Sequence, residues 1–432
     1  MDTKKYYIET YGCQMNEADS ELVAGLLENA RYRSTSDPGE ADIILINSCS
    51  VRENADRRAI ARLSQFKNWK RTKPDSLLGL IGCVAQRGQE SILTDKKYVD
   101  LILGPDTYRN LPSILEQART PVVDIKLSRT EVYDDLAPLR QSVVNAWVSI
   151  MRGCNKFCSF CIVPYLRGRE RSRSPISIER EIRKALKDGY KEVTLLGQNV
   201  NSYHYAEYHF PELLETVAGI PDLKRIRFTS PHPCDVDKRM MEVIRSHSNI
   251  CRHIHLPLQA GSTRILKLMN RSYDQKHYLR VIEMIRKYLP QAAITTDIIV
   301  GFPDESQVDF EQTLAVMQAV RFDTAFMFKY SPRAGTKAAA MVDNVPEEEK
   351  SARLKTVIHL QKKHTLERNK ALVGTIQDIL IDGISKKNPT EMVGRTDTNK
   401  IVVLKKGHPQ IGEICQVKIE KAMGVSLFGK II

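Results

Sequence analysis

Apolar positions in the first hundred residues follow two alternating rhythms. Short apolar runs at "KYYIETYG" (5–12), "ADIILINSC" (41–49), "SLLGLIGC" (76–83) and "YVDLILGP" (98–105) predict strands. Between them, "NEADSELVAGLLENA" (16–30) repeats at helical spacing with Asn16 as its expected N-cap. "ENADRRAIARLSQFKNW" (53–69) predicts a second helix. Continuous apolar strands alternating with helices predict an α/β unit with a parallel sheet. The rhythm fades over 118–142, which reads as a linker. A second β/α series then begins, with strands expected at "NAWVSIMRG", "EVTLLGQN", "RIRFTS", "RHIHLPLQ", "AAITTDIIVGFP" and "TAFMFKYS". Six such units with helices such as "SIEREIRKALKDG" between them predict an incomplete (β/α)6 TIM-like barrel. A charged helix over "PEEEKSARLKTVIHLQKKHTLERNK" follows. Short alternating stretches, "TIQDILIDG", "EMVGRTDTNKIVVL" and "EICQVKIEKA", predict a small antiparallel β-barrel at the end. The expected limits are 1–120, a linker at 121–142, 143–368 and 369–432.

Composition narrows the class. Apolar content of 42% and charged content of 27% are those of a soluble globular protein. The apolar runs fall short of the ~20 residues a membrane helix requires, and "MDTKKYYIETYG" lacks the apolar segment of a secretory leader. A cytoplasmic protein without membrane attachment is expected. Nine cysteines in that compartment favour metal or catalytic use where they cluster. Cys234, Cys251 and Cys415 are isolated and read as ordinary buried residues. A net charge of +13 points to an anionic partner, of which nucleic acid is the commonest. Residues 152–173 offer a patch, with Arg152, Lys156, Arg167, Arg169, Arg171 and Arg173 against the single acid Glu170. Arg167, Arg169, Arg171 and Arg173 are candidate phosphate contacts, with local salt bridges or a solvated loop as the plainer alternative.

Two groups of three cysteines carry candidate chemistry. "RGCNKFCSFC" sets Cys154, Cys158 and Cys161 three and then two residues apart. A structural zinc site needs a fourth ligand nearby, and "IVPYLRGRERSRSP" after Cys161 contains neither Cys nor His. The alternative is a 4Fe-4S cluster with three irons held by thiolates and one left open. Cys13, Cys49 and Cys83 are distant in sequence, yet each ends a predicted parallel strand. Strand ends in an open α/β sheet share one edge, where ligands bind. Three thiols there can converge on a second metal group.

The spacing of the first trio, just after the first barrel strand, resembles the signature of radical S-adenosylmethionine (SAM) enzymes. That resemblance implies SAM chelated to the open iron and cleaved to methionine and a 5′-deoxyadenosyl radical, which removes hydrogen from unactivated carbon. Further SAM contacts are expected at barrel strand ends: Gly197, Gln198 and Asn199 in "LLGQNV", Ser230 in "RFTSP" and Gly301 in "IIVGFPDE". The plainer reading makes them turn residues.

Along nearly its whole length the chain resembles the methylthiotransferases, with their three-cysteine N-terminal domain, radical SAM barrel and RNA-binding TRAM barrel. The likeness rests on "ETYGCQMNEADSE" (9–21), "GCNKFCSFCIVPYLRGRERSR" (153–173), "LLGQNVNSY" (195–203), "IIVGFPDE" (298–305) and "FMFKYSPRAGTKAA" (326–339). "CQMN" favours the branch acting on isopentenylated adenosine in tRNA over those acting on threonylcarbamoyl-adenosine or a ribosomal protein. Leu166 and Ala260 depart from the usual Thr and Ser. The resemblance implies methylthio transfer to carbon 2 of that base beside the anticodon, using two SAM molecules. It further implies sulfur from an auxiliary 4Fe-4S cluster on Cys13, Cys49 and Cys83, and a radical-SAM 4Fe-4S cluster on Cys154, Cys158 and Cys161. An electron donor such as flavodoxin or ferredoxin, a sulfur or cluster donor, and a monomeric state are also expected. No catalytic side chain beyond the cluster ligands is needed for the first step. A reading from another class, a non-catalytic RNA-binding protein stabilised by zinc, is separated from this one by metal content.

Overall fold

All six residues of Ile43–Ser48 are buried, as expected for a strand covered on both faces. The computed structural model describes residues 3–50, 53–117, 121–140, 144–405, 407 and 409–432. In it, β1 (Lys5–Tyr11), β2 (Arg33–Ser34), β3 (Ile43–Ser48), β4 (Leu77–Gly82), β5 (Leu101–Leu103) and β6 (Val122–Asp124) form one sheet, ordered β2-β1-β3-β4-β5-β6. Every pairing in it is parallel. Alternate strand residues supply two cores. Tyr6, Ile43 and Leu45 pack with Leu27 of the helix Gln14–Asn29, and Ile44 and Ile46 pack with Leu63 of the helix Glu53–Gln65.

Several expectations change here. Val122–Asp124 opens the expected linker, yet it is the sixth strand of the sheet. The ends of that linker, 118–120 and 141–143, lie outside the described residues. Asn16 is not the N-cap: the helix begins at Gln14 with Cys13 in that position. The Asn16 amide instead donates to Asn47 Oδ1 (3.1 Å), tying the helix to the end of β3. The second predicted helix is two, Glu53–Gln65 and Lys67–Thr72, which break at buried Phe66.

The second unit is the expected incomplete barrel. Its six parallel strands are β7 (Asn145–Ser149), β10 (Glu192–Leu196), β13 (Arg225–Phe228), β14 (His253–His255), β15 (Ala293–Val300) and β16 (Thr324–Lys329). They form two arcs, β7-β10-β13 and β14-β15-β16, joined by the bridge between Ile226 and Ile250. Two short pairs decorate it: β8 (Met151–Arg152) with β9 (Arg171–Ser172), and β11 (His204–Tyr205) with β12 (Tyr208–His209).

The last unit is a closed five-stranded barrel of β17 (Ile376–Ile384), β18 (Glu391–Arg395), β19 (Ile401–Lys405), β20 (Ile414–Met423) and β21 (Ser426–Ile431). It is not wholly antiparallel, since β19 and β21 pair in parallel. The stretch 391–404 splits into a hairpin, and "SLFGKI" adds a strand that the pattern did not predict.

The small barrel caps the N-terminal mouth of the large one. At the start of β13, Arg225 donates to the carbonyls of Arg395 and Asp378, and Arg227 to those of Asp397 and Thr396, at 2.6–2.9 Å. Lys400 Nζ meets Asp323, just before β16, at 2.7 Å. Arg227 also pairs with buried Glu192 at 2.8 Å. Arg227→Ala strands that carboxylate. It is expected to cost about 3–5 kcal/mol, the range for breaking a buried ion pair, with faster amide hydrogen exchange at 395–400. Unchanged exchange there would refute this docking. The opposite, C-terminal mouth is left for chemistry.

Candidate active site

The first cysteine trio follows β8. Gly153 has φ +81°, and a Cβ there would lie 2.0 Å from the Arg169 carbonyl oxygen, so the position admits only glycine. The Cys154 amide donates to the Gly168 carbonyl (3.1 Å) and the Gly153 amide to Gln198 Oε1 (2.5 Å). The far side of the loop is held by Asn270 Nδ2 on the Phe157 carbonyl (2.8 Å) and by the Ser159 amide on the Met269 carbonyl (2.9 Å). Arg271 Nη1 donates to Cys158 Sγ at 3.2 Å. Burial pushes the Cys154 thiol up to about 11 and the Cys161 thiol up to about 12. A bound cation would oppose that shift, since it favours the thiolate.

The second trio lies where the sheet reading placed it. Cys49 and Cys83 directly follow β3 and β4, and Cys13 follows β1 after Gly12, on the shared C-terminal edge. Cys83 opens its helix after Gly82, whose φ is +87° and where a Cβ would lie 2.3 Å from Asn47 Oδ1. A hydrogen bond from Cys49, together with the Arg167 cation, brings the Cys13 thiol down to about 6, whereas burial pushes Cys83 up. Arg167 Nε donates to Cys83 Sγ at 3.2 Å.

The two trios face each other across the join between sheet and barrel. The short helix Val163–Arg167 follows Cys161, and Ile162 and Leu166 pack directly on Cys83. Leu166, the departure from Thr, is thus an apolar partner of an auxiliary cysteine. Met15 and Ala18 pack on Leu196, with Cys13 and Trp147 beside them. At the centre sits Asp19, 1% exposed, which accepts from Arg167 Nη2 at 2.7 Å and from Arg152 Nη2. Each trio therefore offers three thiols, one of them receiving an N–H from a guanidinium. That donor set suits an iron–sulfur cluster, whose sulfurs accept hydrogen bonds. No three His, Cys, Asp or Glu side chains among the described residues are arranged for a single metal ion. A cubane gives each thiolate its own iron, so its ligands stand further apart than those of one ion.

The basic run changes meaning. Arg167 pairs with Asp19, Arg171 with Asp106 (2.8 Å), and Arg173 with Asp134 (3.1 Å) and Glu181 (2.6 Å). All three arginines are buried and paired rather than offered to phosphate: Arg167 and Arg171 bolt the barrel to the first unit, and Arg173 ties the linker to the barrel. Arg152 is buried likewise, and Lys156 is held by Asp235. Of the four candidates, only Arg169 is exposed.

The SAM candidates lie at strand ends with mixed commitments. Gly197 packs against Met151, with a Cβ position only 2.6 Å from its Cγ. Gln198 is engaged by the cysteine loop. Asn199 Nδ2 donates to Asp235 (2.9 Å), while its buried Oδ1 has no partner. Ser230 is half-buried at φ +58°. At Gly301 (φ +69°) the amide donates to Glu305 Oε2 (2.6 Å), and Lys350 fills the Cβ position. Residues that spacing did not point to include Arg271, Asp19 and His232. Burial holds the His232 imidazole neutral with its pKa near 2, and its Nε2 is buried without a partner. Asp19 lies inside "CQMNEADSE", which was the one available signal for it. Among the isolated cysteines only Cys251 is buried, and Cys234 and Cys415 are half-exposed.

Comparison with known proteins follows the same three parts. Residues 5–104 match the family described as Uncharacterized protein family UPF0004, residues 148–317 the Radical SAM superfamily, and residues 370–432 the TRAM domain. The chain is 46% identical over 434 residues to the tRNA-2-methylthio-N(6)-dimethylallyladenosine synthase of Azobacteroides pseudotrichonymphae genomovar. CFP2, covering 99% of this chain and 96% of that relative. It is 45% identical over 442 residues to the protein of the same name from Porphyromonas gingivalis, covering 99% and 95%. In fold it is similar to the radical S-adenosylmethionine methyltransferase TsrM from Kitasatospora setae. That match has a TM-score of 0.59 and 12% identity over 78% of this chain and 74% of that one.

Proposed function

Because the chain belongs to the tRNA-2-methylthio-N(6)-dimethylallyladenosine synthases, a family of radical SAM transferases, we propose that it adds a methylthio group to carbon 2 of N6-isopentenyladenosine beside the tRNA anticodon. The observation that carries this reading is the facing of two cysteine trios, with Arg167 reaching from the barrel to Cys83. In this reading Cys154, Cys158 and Cys161 hold the 4Fe-4S cluster that binds SAM, and Cys13, Cys49 and Cys83 hold an auxiliary one. When bound, the first supplies the electron that cleaves SAM, and the second supplies the sulfur.

The chain's own residues prepare that chemistry. Arg271 and Arg167 each donate an N–H to one sulfur, of Cys158 and of Cys83, and so orient one ligand in each trio. Ile162, Leu166, Met15 and Leu196 keep water out of the join. SAM contacts are proposed at Gly197, Asn199, Ser230 and Gly301, with Gln198 acting through the Gly153 amide it holds. The first unit carries the auxiliary site, 143–368 the SAM-cleaving barrel and 369–432 an RNA-binding barrel. A monomer in the cytoplasm, served by a flavodoxin- or ferredoxin-like electron donor and a separate sulfur donor, completes the reading. Among the described residues no helix is long and apolar enough to cross a membrane.

Two measurements test it. Mass spectrometry of tRNA nucleosides from a deletion strain should show isopentenyladenosine accumulating as its methylthio derivative disappears. Persistence of that derivative while another methylthio nucleoside vanishes would overturn the substrate assignment. Protein purified without oxygen should carry about eight irons, as two 4Fe-4S clusters require. Stoichiometric zinc with no visible absorption would exclude both clusters.

A further inference from the structure

Arg169, in the loop after the first cysteine trio, is held by no carboxylate among the described residues. Arg169 is exposed, and its guanidinium lies 4.2 Å from the centroid of Phe157. Phe157 in turn meets Tyr165 edge-on, with centroids 6.0 Å apart at 89°. Tyr165 is 43% exposed. Phe157 sits inside the cysteine loop at φ +46°, a conformation that a bulky residue adopts only under constraint and that clusters at functional sites. Planar groups are thus presented to solvent within a few residues of Cys154 and Cys158.

A second group of planes stands on the neighbouring hairpin. Three residues after Arg169, Ser172 Oγ accepts the His204 amide at 3.1 Å. His204 opens the hairpin of β11 and β12. His204 faces His209 with ring centroids 4.8 Å apart, and Tyr205 pairs with Tyr208. The hairpin is exposed throughout, with its two tyrosines at 42% and 41%. A two-stranded hairpin gains little stability by itself, and this one buries no aromatic ring in the core.

Exposed guanidinium and aromatic planes match the recognition of unpaired RNA bases, which stack on such planes in single-stranded loops. Duplex RNA keeps its base faces covered and cannot use them. We propose that Arg169 with Phe157 and Tyr165, together with Tyr205 and Tyr208, forms a stacking platform for the unpaired nucleobases flanking the target adenosine. This rests on the reading of the substrate as a tRNA anticodon loop. The platform fixes which nucleotides lie beside the cysteine loop, while their phosphates remain free for other contacts.

The test measures affinity of the reconstituted holoenzyme for a synthetic anticodon stem-loop, for the same loop with abasic neighbours, and for a duplex of equal length. Iron content reports that each variant is folded. Arg169→Ala, and Tyr205→Ala with Tyr208→Ala, should each weaken stem-loop binding by about tenfold or more and leave duplex binding unchanged. Abasic neighbours should weaken the wild type and add little to the loss in the variants. Arg169→Lys, which keeps the charge without the plane, should resemble Arg169→Ala. Tyr205→Phe with Tyr208→Phe should bind as wild type. Equal losses for loop and duplex, or full rescue by lysine, would overturn the proposal in favour of phosphate contact. Unchanged RNA affinity combined with slower reduction by an electron-transfer flavoprotein would make the face a protein-docking site instead. Failure of the wild type itself to prefer the stem-loop would remove the tRNA reading, a distinguishable result.

Discussion

No 5′-deoxyadenosine should form in protein carrying Cys154→Ala, Cys158→Ala and Cys161→Ala, whereas the triple change at Cys13, Cys49 and Cys83 should leave that product and abolish sulfur insertion. The asymmetry follows from the strand ends on which each trio stands. The first trio lies among the barrel loops that carry Gln198, Asn199 and Ser230, while the second belongs to the sheet edge and meets the barrel at Arg167, Ile162 and Leu166 beside Cys83 and at Trp147 and Leu196 beside Cys13. Each triple variant should retain about four irons, half of the eight that two clusters supply. Chromatography of the SAM cleavage products and nucleoside mass spectrometry read the two outcomes separately. Loss of SAM cleavage in both variants, each with one cluster intact, would contradict this division of labour.

Asp19→Ala should be the most damaging single change outside the cysteines. Asp19 compensates two buried guanidiniums, those of Arg152 and Arg167, and it accepts nothing from solvent. Removing one partner of a buried ion pair costs about 3–5 kcal/mol because the remaining charge stays desolvated. Here two cations are stranded at once, so the loss should lie at the upper end or beyond it. Arg167 would then be free to leave Cys83, and the auxiliary site should lose iron before the barrel site does. Asp19→Asn keeps the shape and one acceptor and should fall between wild type and alanine. Denaturant midpoints and iron content check both variants. A stable Asp19→Ala protein with eight irons would show that the join does not depend on this carboxylate.

Much of the architecture was legible because it is encoded locally. Four strands of the first sheet, β1, β3, β4 and β5, and all six barrel strands announce themselves by apolar runs that need no knowledge of distant residues. The same runs placed Cys13, Cys49 and Cys83 on one edge, since parallel topology alone brings their ends together. What stayed hidden depends on pairing across long separations. The arginines of 167–173 look like an RNA-facing patch until Asp19, 148 residues from Arg167, and Asp106, 65 residues from Arg171, arrive beside them. Asn16 looks like a helix cap until Asn47 claims its amide, 31 residues away. β2, at two exposed residues, is too short and too polar to show a period of its own. Arg271 could not be linked to Cys158 by spacing, because 113 residues separate them.

The bolt between Asp19 and Arg167 also has a timetable. At about 5–20 residues per second of synthesis, the 148 residues between them take roughly 7–30 s to follow. The first sheet is complete only once Asp124 is made; over the 43 residues from there to Arg167, roughly 2–9 s, Cys83 lacks its cover of Ile162 and Leu166. Once the helix after Cys161 docks, the sulfur edge closes. A cluster delivered to the nascent chain would meet an open edge, and one delivered to the finished protein would have to part the join first.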